Sequence, residues 1–194
     1  MKVNEIFYSV QGEGNFTGQA AIFVRFAGCN LKCSFCDTNH WGYRQMTEEE
    51  IVTEVNQFPA MLVVITGGEP SLQLTESLID KLHDAGKYVA VETNGTKQLP
   101  PNVDWITVSP KQSYVGKAGK VVLQHADELK VVFDVNNKIE DPTFGICADN
   151  YYVQPCDTGD KDKNQENYNY CVEFVKNNPL WIISLQTQKI LNVR

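Results

Sequence analysis

The chain of 194 residues lacks the long apolar segments that are typical of membrane proteins and of secreted precursors. No apolar run approaches the roughly 20 residues that a helix needs to cross a bilayer. The opening segment, residues 1–5, lacks the apolar core of a signal peptide. We therefore expect no membrane partner and a cytoplasmic location.

Positive charge is also scarce. Lys and Arg total 17 against 24 Asp and Glu, which gives a formal net charge of −7. Because nucleic-acid binding depends on Lys and Arg that neutralise phosphates, this balance argues against a nucleic-acid partner. A small-molecule substrate is the better expectation.

Internal repeats and low-complexity tails are absent, and the length suits one domain over residues 1–194. Strands are predicted at 20–27, 61–66, 88–93, 104–108, 129–133, 151–154 and 181–186, and helices from Thr47, over 75–85 and over 166–177. Apolar strands separated by helices are typical of a parallel sheet. Because eight full β/α units take about 250 residues, we predict an α/β fold, a partial (incomplete) TIM-like barrel with mostly parallel strands.

Cysteine, in contrast, is abundant and unevenly placed. Cys29, Cys33 and Cys36 have the spacing Cys-x3-Cys-x2-Cys just after the first predicted strand. Three thiolates on a short loop can bind three irons of a [4Fe–4S] cluster and leave the fourth open to a small molecule. The other three cysteines, which are scattered, are predicted to be inert thiols: Cys147, Cys156 and Cys171.

A structural zinc site is the alternative for the clustered cysteines. Zinc takes four ligands in such sites, and Asp37 or His40 could supply the fourth. The cysteines alone leave both interpretations open.

Three further motifs each allow two interpretations. The segment Gly67-Gly68-Glu69-Pro70 is either a tight turn or a place where the backbone approaches a ligand, with Glu69 accepting from its ammonium. Arg25 interrupts an apolar strand, so it pairs either with an internal carboxylate or with an anionic ligand. Gln11 and Gly12 form either a surface turn or a contact in which the Gln amide donates and accepts.

Together these motifs resemble the radical S-adenosylmethionine (SAM) superfamily, whose aromatic residue before the last cysteine is matched by Phe35. More closely, the chain is similar to the 7-carboxy-7-deazaguanine synthase family over nearly its whole length. The motifs that carry this resemblance, in order, are residues 9–14, 22–25, 36–38, 65–70, 92–95, 108–111, 154–155 and 185–189.

The resemblance implies a fold of the radical SAM type and a carbon–nitrogen lyase of queuosine and 7-deazapurine biosynthesis. The reaction it implies converts 6-carboxy-5,6,7,8-tetrahydropterin to 7-carboxy-7-deazaguanine with release of ammonia. The implied cofactors are a [4Fe–4S] cluster, SAM and Mg²⁺. A one-electron reductant of the flavodoxin or ferredoxin type and a homodimer are implied as partners.

Residue roles follow from the same resemblance, and no catalytic side chain beyond the cofactors is implied. Cys29, Cys33 and Cys36 would bind the cluster, and Thr38, otherwise a loop hydroxyl, would bind Mg²⁺ through oxygen. The residues implied to contact the substrate are Val10, Gln11, Gly12, Arg25 and Thr66. Those implied to hold SAM are Phe35, Cys36, Asp37, Gly68, Glu69, Ser109, Pro110, Lys111, Gln154, Pro155, Cys156 and Asp157. The chain departs from the family at Gln188, where a His is frequent.

Two other functions remain as alternatives. A glycyl-radical-enzyme activase shares the cysteine spacing, but its substrate is a protein glycine. A zinc-stabilised or electron-transfer binding module would have no reaction at all.

Overall fold

The computed structural model describes residues 1–36, 38 and 42–194 and joins strands β1 to β9 into one sheet. The strands are β1 Lys2–Val10, β2 Ala20–Phe26, β3 Arg44–Gln45, β4 Leu62–Gly67, β5 Tyr88–Thr93, β6 Trp105–Val108, β7 His125–Phe133, β8 Cys147–Pro155 and β9 Trp181–Ile183. The helices are α1 Glu48–Val55, α2 Glu76–Asp84, α3 Gln112–Val115, α4 Lys161–Asn177 and α5 Thr187–Leu191.

The sheet is open and mostly parallel. Its strand order is β3-β1-β2-β4-β5-β6-β7-β8-β9, and each pair from β2 to β9 is parallel. Only β1 and β3 pair antiparallel with their neighbours. In the described part of the chain β3 and β9 are the two edges, so the predicted partial barrel of mostly parallel strands is confirmed.

Each strand predicted from an apolar run is present, but β1, β3, α3 and α5 were not predicted, and the start of α4 was predicted too late. The segment Lys2–Val10 forms a nine-residue strand in which polar and apolar residues mix, because it lies near an edge of the sheet. Helix α4 begins at Lys161 rather than 166. The carboxylate of Asp160 caps it by accepting from the backbone N–H groups of Asp162 and Lys163.

The outer face of the sheet holds the larger apolar core. Because side chains alternate along a strand, Ile22 and Val24 of β2 point to this face together with Val63 and Ile65 of β4. Helix α2 covers them with three fully buried residues, Leu78, Ile79 and Leu82. Burial of each such side chain stabilises the fold by about 2 kcal/mol.

The inner face changes character along the strands. Its lower part is apolar, with Phe7 stacked on Phe23 at a centroid distance of 4.8 Å and Val64 beside them. Two residues further along the strands, Arg25 of β2 stands beside Thr66 of β4 in the parallel register. The carboxyl ends of the strands therefore bring polar groups together on the inner face, where ligands bind in α/β folds.

No described helix is long and apolar enough to cross a membrane.

Candidate active site

A cavity of about 710 Å³ opens at the carboxyl ends of the parallel strands. It is lined by most of the site residues predicted from the sequence: Val10, Gln11, Gly12, Arg25, Cys29, Cys33, Phe35, Cys36, Thr38, Thr66, Gly68, Ser109, Lys111, Gln154, Pro155, Cys156 and Asp157. Glu69 and Pro110 do not line it. Asp37, predicted to bind SAM, and His40, weighed as a zinc ligand, lie outside the described residues.

The three clustered cysteines stand on one wall of this cavity as free thiols. Cys29 and Cys33 are half-buried and Cys36 is exposed. Among the described residues, no three His, Cys, Asp or Glu side chains converge on the position of a single metal ion. A cubane cluster takes each thiolate on a different iron, so three separate thiols on one cavity wall suit it as a donor set.

The electrostatics of these thiols are governed by burial and by one cation. Burial raises the pKa of Cys29, while the backbone N–H of Leu31, 3.4 Å from its sulfur, opposes that shift. Burial likewise raises the pKa of Cys33, and the ammonium of Lys111 opposes it. Coordination to a metal deprotonates such thiols, and both the N–H and the ammonium favour the thiolate.

Gly67 and Gly68 let two backbone segments meet below the cysteine loop. Gly67 has φ +126°, and a Cβ there would lie 2.2 Å from the carbonyl oxygen of Phe26. A Cβ on Gly68 would lie 1.9 Å from the carbonyl oxygen of Gly28. The glycines were predicted to let the backbone approach a ligand. In this structure they let the backbone approach the segment Phe26–Gly28, which leads into Cys29.

Glu69 has a different place from the one expected. Its side chain is buried, with 1% exposure, and accepts hydrogen bonds from Thr93 Oγ1 at 2.7 Å, Asn94 N at 2.8 Å and Ser71 N at 2.9 Å. The carboxylate therefore ties the loop after β4 to the end of β5. A direct contact of Glu69 with a ligand ammonium stays a prediction.

Aromatic and cationic groups pack around Phe35, the residue before the last cysteine. The ring of Tyr114 lies 4.3 Å from the ring of Phe35, centroid to centroid, and the ammonium of Lys111 lies 5.7 Å from the same ring. Lys111 also donates to Ser109 Oγ. The loop after β6 is held against the cysteine loop by these contacts.

The segment after β8 forms another wall. The backbone N–H of Cys156 donates to Phe133 O at 2.8 Å, and its carbonyl accepts from Asn167 Nδ2 at 2.9 Å. The Asp157 carboxylate accepts from Lys189 Nζ at 2.6 Å. This hydrogen bond, followed by that from the N–H of Gly159, lowers the pKa of Asp157 to about 2. The wall therefore carries a fixed negative charge at its rim.

Arg25 lines the cavity and also pairs internally. Its Nε donates to Glu5 Oε1 at 2.9 Å, and its guanidinium lies 5.8 Å from the Phe7 ring centroid. Arg194 bonds to the other oxygen of Glu5 and lines the cavity as well. Two guanidinium groups thus flank one carboxylate, and we call this part of the cavity, Arg25 and Arg194 around Glu5, the positive corner.

The cavity also contains charged residues to which the sequence analysis assigned no role. Lys130 Nζ donates to Glu13 Oε2 at 2.7 Å and lies 3.5 Å from Glu92 Oε1. We call Glu13, Glu92 and Lys130 the charged floor. Lys130 interrupts an apolar strand just as Arg25 does, so the same sequence signal could have identified it.

Two predicted substrate contacts are tied to this floor. Gln11 donates through Nε2 to Glu92 Oε1 at 3.1 Å, and its Oε1 accepts from Glu13 N at 3.2 Å. Thr66 Oγ1 donates to Glu92 Oε2 at 3.1 Å. Gln188, which stands where His is frequent in the family, donates through Nε2 to Glu13 Oε1 at 3.1 Å. A Cβ on Gly12 would lie 1.8 Å from Gln188 Oε1, so Gly12 makes room for this amide.

Thr38 is half-buried and lines the cavity beside the cysteines. The sulfur of Cys36 lies 3.8 Å from the carbonyl oxygen of Thr38. An oxygen-bearing residue therefore adjoins the thiols, as a site for a hard cation next to the cluster would require.

The scattered cysteines differ from the clustered ones. Cys147 and Cys171 lie outside the cavity, and burial raises the pKa of Cys171 to about 12.

Comparison with known proteins places these features in context. The model of the radical SAM superfamily matches residues 23–109. The chain is 47% identical, over 100% of its own length and 98% of the relative's, to 7-carboxy-7-deazaguanine synthase of Bacteroides thetaiotaomicron. It is 36% identical to the enzyme of that name from Haemophilus influenzae, over 97% of this chain and 92% of the relative. The crystal structure of QueE from Escherichia coli superposes with a TM-score of 0.74 at 27% identity, covering 95% of this chain and 93% of that one.

The match to the Bacteroides thetaiotaomicron relative spans the whole chain, including the cysteine loop, the Gly67-Gly68 junction and the C-terminal segment that reaches the cavity. Membership of the superfamily implies a [4Fe–4S] cluster and SAM as cofactors. The chain belongs to the 7-carboxy-7-deazaguanine synthase family of radical SAM enzymes.

Proposed function

We propose that this chain converts 6-carboxy-5,6,7,8-tetrahydropterin to 7-carboxy-7-deazaguanine and ammonia, as the name of its relatives suggests. The observation that carries the proposal is one cavity lined by three free thiols, the positive corner and the charged floor. The product 7-carboxy-7-deazaguanine and ammonia together contain the same atoms as the substrate. The pterin therefore needs no net oxidant or reductant.

The thiolates of Cys29, Cys33 and Cys36 would hold the cluster, and its open iron would bind SAM. When bound, this pair would supply a 5′-deoxyadenosyl radical to take a hydrogen atom from the pterin, expected at C6; because the overall conversion is redox-neutral, a hydrogen atom has to be returned to the product radical. The protein's own contribution is to fix the substrate within reach and to exclude water. The residues that line the cavity would serve both purposes.

SAM would lie between the cysteine loop and the loops after β6 and β8. Support comes from the packing of Phe35 against Tyr114 and Lys111 and from the wall at Gln154–Asp157. The planar ring of Phe35 and the rim carboxylate of Asp157 suit an adenine and a sulfonium cation, respectively. Glu69 would support SAM binding indirectly, because its carboxylate fixes the loop that carries Gly68.

The substrate carboxylate would bind in the positive corner formed by Arg25 and Arg194 around Glu5. A guanidinium binds a carboxylate through two parallel hydrogen bonds. The pterin ring would then extend along the inner face past Thr66 toward Gln11 and Gly12. The two interpretations of Arg25 thus combine, since the ion pair with Glu5 orients the side chain that binds substrate.

Mg²⁺ would bind at Thr38 together with the substrate. The Thr oxygen is a hard ligand, and Mg²⁺ commonly completes its shell with water and an anionic substrate. Because one neutral hydroxyl binds Mg²⁺ weakly, we expect the ion to arrive with the carboxylated pterin.

The remaining expectations concern the cell and the assembly. We propose a cytoplasmic single-domain enzyme, over residues 1–194, that forms a homodimer. Reduction of the cluster requires an external one-electron donor of the flavodoxin or ferredoxin type. The product would enter queuosine or another 7-deazapurine.

The test is an anaerobic assay of the reconstituted enzyme with dithionite, SAM, Mg²⁺ and 6-carboxytetrahydropterin, followed by mass spectrometry. We expect 7-carboxy-7-deazaguanine and ammonia in equal amounts, and neither product when SAM or reductant is omitted. Formation of 5′-deoxyadenosine without the deazapurine would contradict the proposed substrate. Radical on an added glycyl-radical partner would then identify an activase.

A further inference from the structure

A lysine is buried between two carboxylates in the charged floor. The side chain of Lys130 is 6% exposed, and its ammonium lies 2.7 Å from Glu13 Oε2 and 3.5 Å from Glu92 Oε1. The three residues come from the loop after β1, from β5 and from β7, and all three line the cavity. A buried ion pair of this kind is costly to form and gives little net stability. Its position in the cavity proposed to hold the substrate therefore calls for a role other than stability.

Glu13 organises the C-terminal side of the floor. Its Oε1 accepts from Gln186 Nε2 at 2.9 Å and from Gln188 Nε2 at 3.1 Å. Both amides belong to the segment around α5, and the backbone N–H of Thr187 donates to Gly12 O at 3.0 Å. Glu13 thus fixes the C-terminal segment against the loop after β1.

Glu92 organises the other side. It accepts from Gln11 Nε2 and from Thr66 Oγ1, each at 3.1 Å. These two donors are residues proposed above to contact the pterin. Lys130 therefore connects two carboxylates, each of which holds its own wall of the substrate site.

Both carboxylates retain room for a ligand. A carboxylate oxygen accepts about two hydrogen bonds. From the described residues, Glu13 Oε2 receives one, from Lys130, and Glu92 Oε2 receives one, from Thr66. Each oxygen can accept one more N–H group. The pterin offers such donors at N3 and at the 2-amino group.

The charge of Lys130 opposes the effect of burial on its neighbours. Burial alone would raise the pKa of Glu13, but the nearby ammonium and the hydrogen bonds of Lys130, Gln186 and Gln188 lower it to about 2. Burial alone would lower the pKa of Lys130 itself, but the carboxylates around it raise it. Without the ammonium, burial would dominate, and Glu13 would bind a proton at a higher pH.

Other titratable groups face this position. On β7 the buried carboxyl of Glu128 accepts from Asn15 N at 2.9 Å, and burial raises its pKa. On β8, Tyr152 lies beside Lys130 in the strand register, and burial, followed by the charge of Glu128, raises the pKa of its phenol. From the loop after β6 comes Lys111, whose pKa is lowered by burial. Of the two lysines, only Lys130 makes hydrogen bonds to the carboxylates of the floor.

We propose that Lys130 is a positioning residue that holds the carboxylates of Glu13 and Glu92 in place, so that they accept the N–H groups of the pterin ring. The inference rests on the proposed function and deepens it. Lys130 itself acts through the carboxylates and forms no bond to the reacting carbon. Recognition of the ring would then be separate from recognition of the carboxylate, which belongs to the positive corner at Arg25.

The test measures binding of 6-carboxypterin, which keeps N3–H, the 2-amino group and the carboxylate but does not react. Its fluorescence is followed on titration into reconstituted enzyme with SAM, from mildly acidic to mildly alkaline pH. For Lys130→Met we expect about 10- to 100-fold weaker binding, the range that charge-assisted hydrogen bonds supply. The KM for SAM should change less than about twofold, because the floor lies on the pterin side.

The pH dependence distinguishes charge from mere packing. In the parent enzyme Glu13 stays ionised throughout the range. In Lys130→Met its raised pKa should make binding weaken further as the pH falls. Lys130→Arg keeps the charge and should recover most of the affinity and the parent pH profile. Lys176→Met, which removes an exposed lysine paired with Glu173 on α4, is the matched control.

The inference is overturned if Lys130→Met binds 6-carboxypterin as tightly as the parent at every pH, or if Arg and Met weaken binding equally. If Lys130→Met does not retain the cluster, the paired variant Lys130→Met with Glu13→Gln removes both charges. It should bind weakly with no added pH dependence, and parent-like binding would again overturn the inference. Failure of the parent enzyme to form the deazapurine is a separate result: it removes the proposed function and this inference with it.

Discussion

The cysteine loop and the charged floor line one cavity, yet they are built in different ways. In the loop, Cys36 is exposed and Cys29 receives one long hydrogen bond from a backbone N–H. In the floor, Lys130 is nearly inaccessible. Glu13 accepts three hydrogen bonds at 2.7–3.1 Å, and Glu92 accepts two at 3.1 Å and one at 3.5 Å. The protein completes the floor by itself, whereas the loop presents donor atoms for a group that comes from outside.

This difference follows from what each region has to bind. A cluster forms strong bonds to its thiolates, so the loop needs only the donors in order and some support for the thiolate charge. An organic ring forms individually weak hydrogen bonds, so the groups that accept them must be fixed before it binds. Preorganisation is therefore concentrated in the floor.

The largest effect is expected from the loop, at Cys33. Cys33→Ala removes one of three ligands, so the cluster should not assemble and product formation should cease. Iron and labile-sulfide content, with the product assay, provide the measurement. Cys147→Ala, which removes an exposed thiol outside the cavity, should retain both. Full iron content and activity in Cys33→Ala would show that the loop does not bind the cluster.

The second effect concerns the backbone that supports the loop. In Gly68→Ala the new Cβ would lie 1.9 Å from the carbonyl oxygen of Gly28, and a backbone atom cannot move aside cheaply. We expect a loss of about 1–3 kcal/mol in the free energy of unfolding, measured by denaturant titration, and reduced cluster loading. In the control, Gly42→Ala, the nearest atom is 3.8 Å away and no change is expected. Parent-like stability and loading in Gly68→Ala would mean that the loop tolerates displacement.

A third prediction separates the positive corner from the cofactor side. Arg25→Ala should raise the KM for the carboxylated pterin by at least about tenfold, the effect of losing a charge-assisted pair, and the KM for SAM much less. Steady-state kinetics with each substrate varied in turn measures this ratio. Arg44→Ala, which removes an exposed arginine paired with Glu54, should change neither value. Equal increases in both KM values would exclude Arg25 from the pterin site.

The smallest effect is expected where a charge pair is exposed. Lys189 is 42% exposed and pairs with Asp157 at the rim. Because exposed pairs contribute about 0–1 kcal/mol, Lys189→Met should raise the KM for SAM by no more than about fivefold, and added salt should reduce the difference. An increase much above tenfold would show that the rim is as tightly organised as the floor.

Much of the fold could be predicted from the sequence because its central strands are apolar runs. Strands β4 and β5 are buried on both faces, and such strands can be recognised in a sequence as continuous apolar runs. Strand β1 carries mixed residues near an edge, so its pattern gave no clear signal. The start of α4 was placed too late because residues 161–165 are polar, although Asp160 is a good capping residue.

The site was predicted unevenly for a related reason. Motifs with distinctive spacing, such as the cysteines, were assigned through the family resemblance, and most of their residues line one cavity. The floor was missed because Glu13, Glu92 and Lys130 are far apart in sequence and meet only in the folded sheet. Glu69 illustrates the converse, since its motif indicated a ligand contact while its carboxylate is used to join β4 and β5.

The central claim is that one cavity holds SAM on the cysteine side and the pterin on the floor side, close enough for direct hydrogen transfer. The measurement is anaerobic turnover of 6-carboxytetrahydropterin carrying deuterium at C6, with mass analysis of the 5′-deoxyadenosine formed. The account predicts deuterium in 5′-deoxyadenosine together with 7-carboxy-7-deazaguanine. Unlabelled 5′-deoxyadenosine alongside the same product would contradict it, because the hydrogen at C6 would then not have been transferred across this cavity.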